Sequence, residues 1–164
     1  MKNKMGKIVM AALVFIFVIP MSTSAATVKL LTWDLVDSGK HLDWDGSTKY
    51  QTSFDSGKNV WNGYKSGVIR KDSAYVIQDV SISDYSEKSN TGAVTSSGGT
   101  IKFNSYVMDT LSSTEKKNVA IHELGHALGL AHNTSSDVMY AYITTNTSLS
   151  DNDKASYNAA YNNY

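Results

Sequence analysis

Three of the chain's four histidines, His122, His126 and His132, fall within 11 residues, with Glu123 and Gly129 among them. No other feature restricts the fold as much. Residues four apart stack on one helical face, so His122 and His126 reach a common point if one helix carries both. Further helix would take His132 to a different face. Gly129 offers the exit, because glycine accepts positive φ without strain and commonly ends helices in the left-handed conformation. Upstream, Ser112 and Glu115 stand in capping-box register, which predicts a helix from Ser113 to about Leu130. Val119, Leu124, Ala127 and Leu128 supply its apolar contacts.

The chemistry follows from the donor set. Three neutral imidazoles with one coordination position open to water is the pattern of catalytic zinc. Glu123, next to His122, is placed to act as general base toward a zinc-activated water. A binding module with a structural metal is the competing class. Structural sites are usually closed by a fourth protein ligand. The chain has no cysteine, and His41 sits in a polar stretch without an evident partner. Such a site also has no use for Glu123. A zinc hydrolase acting on another bond, such as a cell-wall amide, shares the same zinc and glutamate chemistry.

The remaining sequence sets the context. Lys2, Lys4 and Lys7 precede an uncharged run from Ile8 to Pro20, followed by small residues to Ala26. This layout predicts a secretory signal peptide over residues 1–26. The apolar run is 13 residues, well short of the roughly 20 that span a bilayer. Residues 27–164 then form a single domain, expected outside the cell. Three of the 15 basic residues lie in the leader, so the remainder carries three more acidic than basic groups. No basic patch suggests nucleic acid. The expected partner is a peptide or protein substrate, with no nucleic acid, no membrane after cleavage, and a monomeric chain.

Local patterns predict strands at 28–33, 74–82, 92–95 and 100–104, with Ser96 to Gly99 as a turn. They predict helices at 47–64 and, behind a cap at Ser150 and Asp153, at 153–164. Residues 34–46 and 84–90 read as loops, and 133–146 as irregular. The result is an α+β chain, a small mixed sheet backed by helices.

The stretch from His122 to His132 resembles the zinc-binding signature of the metzincin metalloproteases. Ser136-Asp137-Val138-Met139-Tyr140 follows where that family has its Met turn, and Met followed by Tyr is most similar to the matrixin branch. Leu31-Thr32-Trp33 resembles that branch's first strand. Leu149 to Asp153 with Tyr161 resembles its last loop and helix. The resemblance implies a zincin fold with a twisted sheet, and a secreted zinc endopeptidase of bacterial type without a prodomain. It also implies His122, His126 and His132 as ligands of one catalytic Zn2+, Glu123 as general base, and Met139 beneath the metal. Substrate is expected to lie extended along an edge strand at Gly92, Ala93, Val94 and Thr95. The sequence departs from the animal matrixins in lacking a prodomain cysteine and in following Tyr140 with Ala141. Asp34, Asp37, Asp43 and Asp45 are near enough in sequence to offer a Ca2+ site, although loop aspartates are more often simply solvated.

Overall fold

The computed structural model describes residues 25–73 and 77–164. Nearly all of the predicted leader lies outside the described residues, as do residues 74–76 of the strand expected at 74–82. Five strands form one mixed sheet: β1 (Leu42–Gly46), β2 (Ile69–Lys71), β3 (Val80–Tyr85), β4 (Ala93–Ser96) and β5 (Thr100–Asn104), in the order β2-β1-β3-β5-β4. β1 runs parallel to both β2 and β3, β3 is parallel to β5, and only β4 is antiparallel, leaving it on one edge. The helices are α1 (Gln51–Tyr64), α2 (Ser105–Met108), α3 (Ser113–Ala127) and α4 (Asp151–Asn163). The expected mixed sheet backed by helices is observed.

The core lies between the sheet and α1 and α3. Leu42, Val80, Ile101 and Phe103 from the strands, Phe54 and Trp61 from α1, and Ile121 and Leu124 from α3 are all excluded from solvent. Burying side chains of this size contributes about 1.5–3 kcal/mol each relative to exposure. Trp61 also donates from Nε1 to the carbonyl of Ile121 at 2.9 Å, so the indole leaves no unpaired polar atom in the core. Its ring meets Tyr157 of α4 edge to face, with centroids 5.2 Å apart.

Several boundaries differ from expectation, each for a tertiary reason. Residues 28–33 form no strand of the sheet. Instead Leu31 donates to the carbonyl of Gly129 and Ala131 donates to that of Lys29, and Leu30 bridges Leu130. This segment finds its partner just past α3. The stretch read as loop at 34–46 contains β1, whose Asp43 is 1% exposed. Arg70 of β2 binds both of its carboxylate oxygens at 2.7 Å, which makes burial of the charge tolerable. β2 and α2 have sequences too short to carry a period and were not expected. β3 starts at Val80, where pairing with β1 begins, and extends to Tyr85, beyond the predicted end. The edge strand is shifted by one residue from 92–95 to Ala93–Ser96.

Candidate metal centre

α3 begins at the predicted capping box. The Ser112 hydroxyl accepts from the amide of Glu115, and the Glu115 carboxylate accepts from the amide of Ser112. The helix ends at Ala127, earlier than the expected Leu130. Gly129 has φ +85°, its amide reaches the carbonyl of His126, and the amide of Leu130 reaches the carbonyl of Gly125. These two bonds make a Schellman motif, in which the left-handed residue satisfies carbonyls at the helix end. The chain then doubles back, and residues 29–31 pin it there.

That reversal brings the three histidines together. One ring nitrogen from each of His122, His126 and His132 lies within 4.8 Å of the others. The Nε2 atoms of His126 and His132 are 3.2 Å apart. Two nitrogens bound to one tetrahedral zinc at about 2.05 Å would be about 3.3 Å apart. The other ring nitrogens are occupied: Nδ1 of His122 lies 2.9 Å from the carbonyl of Val138, and Nδ1 of His126 lies 2.8 Å from that of Leu130. A carbonyl can only accept, so each Nδ1 carries the proton and each Nε2 keeps its lone pair for a metal. Burial pushes the His122 imidazole down to about 3, with neighbouring His126 adding to the effect, and burial also lowers His126. Both rings are therefore neutral, as ligation requires. This donor set fits a zinc ion.

Met139 is buried and packs against α3 at Gly125. A side chain added at Gly125, on the helix between the histidines, would strike its sulfur at 2.3 Å. The turn carrying Met139 is held by Asp153 of α4. That buried carboxylate accepts from the amides of Val138, Met139 and Ser150 at 2.9, 3.2 and 2.9 Å. The sequence marked Asp153 only as a helix cap. Its second task joins α4 to the Val138 carbonyl that orients His122.

Glu123 faces a cleft of about 430 Å³. One wall is the β4 region from Asn90 to Thr95, the other is 140–143, and Asn118, Val119 and the histidines also line it. Burial pushes the Glu123 carboxyl up to about 7, against hydrogen bonding from Thr95. A divalent cation beside it would draw this value back down. Tyr140 and Tyr142 meet on the far wall with their rings tilted by 53° and centroids 5.3 Å apart, and Tyr142 is 72% exposed. Asn118 was not singled out in the sequence. Its side chain accepts from the amide of Thr144 and donates to the carbonyl of Asn146, tying the loop after Met139 to α3. A polar residue one turn before His122, on a buried helix face, was the signal available for it.

The remaining candidates lie elsewhere. His41 sits beside Asp37, in a separate pocket with Lys40 and Lys65. The four aspartates considered for calcium are not gathered as a set. Asp34 accepts from the amide of Val36, and Asp45 pairs with Lys71. Asp37 and Asp43 do converge with Asp79, within 4.8 Å, but Arg70 already pairs with Asp43 and approaches Asp37 at 3.8 Å.

No curated protein matches the chain. The Matrixin family model matches residues 37–162, which runs from before β1 to within one residue of the end of α4 and includes the histidine cluster. With that match over most of its length and a three-histidine centre of zincin type, the chain belongs to the matrixin family of metallopeptidases.

Proposed function

We propose that this protein is a secreted zinc endopeptidase in which His122, His126 and His132 hold the ion and Glu123 is the general base. The observation that carries this reading is the convergence of three imidazole nitrogens in a cleft that Glu123 also lines. Zinc bound there would polarise the scissile carbonyl and acidify a water. Glu123 takes a proton as the water oxygen adds to the carbonyl carbon. It returns that proton to the leaving nitrogen as the C–N bond breaks. The free edge of the sheet offers backbone groups from Gly92 to Thr95 to an extended peptide, a mode in which main-chain hydrogen bonds supply much of the hold. Met139 serves as apolar support below the ligands. The leader of residues 1–26, with its three lysines and uncharged run, supports export of a domain spanning 27–164. Among the described residues no helix is long and apolar enough to cross a membrane.

Glu123→Gln tests the assignment, because it keeps the size of the side chain and all three imidazoles. Zinc content is expected to stay at the wild-type level while peptide turnover falls about 100-fold or more. Full zinc with near-normal turnover in the same preparation would end the general-base role.

A further inference from the structure

We propose that Thr95 is a positioning residue for the Glu123 carboxylate, and that it links the strand expected to align substrate to the group expected to move the proton. The inference rests on the reading of Glu123 as general base. Thr95 lies on edge strand β4, opposite Ile101 of β5. Its Oγ1 is 2.6 Å from Oε2 of Glu123 and 3.0 Å from the carbonyl oxygen of the same residue. A hydroxyl has one proton to donate. The shorter contact, to an acceptor able to carry charge, is the stronger claim on it. Glu123 is 6% exposed, so little water competes for that oxygen.

A glutamate side chain turns about three torsions, and proton transfer requires its carboxylate to stay within hydrogen-bonding reach of the attacking water. Holding Oε2 leaves the lone pairs of the second oxygen to accept the proton. Thr95 also belongs to the strand whose free edge would pair with an extended peptide. Base and peptide are thereby referenced to one rigid element, and misplacement by about 1 Å can cost on the order of 100-fold in rate. The backbone of β4 binds the peptide whatever side chain stands at 95. Loss of the hydroxyl should therefore appear in kcat and leave KM alone.

The test compares Thr95→Val, Thr95→Ser and Thr95→Ala as zinc-loaded enzymes. The probe is a quenched-fluorescence peptide chosen from a peptide-library digest by the wild type. Valine keeps the branching and strand preference of threonine and removes only the donor. Thr95→Val and Thr95→Ala should each lose about 10- to 100-fold in kcat, with KM and zinc content unchanged. Thr95→Ser should stay within about threefold of wild type, because it retains the donor. A uniform loss in all three variants would overturn the proposal, since packing and not the hydroxyl would then be at issue. Glu123→Gln in the same assay separates the two claims. If it is inactive while Thr95→Val and Thr95→Ala turn over normally, the role of Thr95 fails and that of Glu123 stands. If Glu123→Gln turns over normally, both fail.

Discussion

Replacing Gly57 by alanine should destabilise this protein, although the same change elsewhere in the same helix should stabilise it. α1 crosses α3 at Gly57. A β-carbon built there would lie 3.0 Å from the carbonyl carbon of Ala120 and the amide nitrogen of Ile121, and 3.2 Å from the Ala120 oxygen. Carbon contacts are comfortable at about 3.5–4.0 Å. The obstructing atoms are backbone, directly before His122, and Trp61 fastens the same helix pair through Ile121. Neither side can yield by turning a side chain. Overpacking of this kind costs about 1–3 kcal/mol, while alanine in place of glycine in a helix returns about 1 kcal/mol. A net loss of about 1 kcal/mol follows. Gly63 is exposed, in the last turn of α1, and nothing lies within 4 Å of its missing β-carbon. There only the propensity gain remains, up to about 1 kcal/mol. The two variants should differ by about 2 kcal/mol, which is roughly 5–10 °C in Tm for a domain of this size. Thermal unfolding followed by circular dichroism on zinc-saturated protein measures the difference. A Gly57→Ala variant as stable as Gly63→Ala would refute the close-packed crossing and the energetic reasoning built on it.

Three further outcomes are expected. His132→Ala removes an exposed ligand that lies beyond the helix end, so the fold should persist while zinc is lost on dialysis. Metal analysis finding full occupancy in that variant would rule out the three-histidine site. Chelation of the wild type should abolish turnover, and added zinc should restore it. Asp153→Asn puts an amide where a buried carboxylate accepts three backbone amides, and should cost about 2–3 kcal/mol. Because those amides belong partly to the turn behind His122, zinc retention should fall together with Tm. A variant with unchanged Tm would show that the Met139 turn is held by other means.

Short-range chemistry was readable along the chain. The cap at Ser112 and Glu115, the hairpin turn between β4 and β5, and the stop at Gly129 each depend on residues within a few positions of one another. The histidine spacing belongs to the same class, since helix geometry alone places His122 and His126 on one face. Elements whose partners are distant in sequence are not legible locally. Asp43 reads as loop because the stretch from Asp34 to Gly46 is rich in aspartate and glycine, and its burial in β1 is made tolerable by Arg70, 27 residues later, which pairs with it. Residues 28–33 have strand character, but the backbone groups that meet them stand at 129–131. Thr95 gives no local sign of its contact with Glu123, and the position of Asn118 on α3 does not reveal its partners in the loop at 144–146. From the sequence alone came the identity of the donors, the helix that carries two of them and the glycine that frees the third. The tertiary structure decided how the third is held in place, which carbonyls set the ring tautomers, and what braces Glu123, because hydrogen bonds between residues far apart in sequence exist only after the chain has packed.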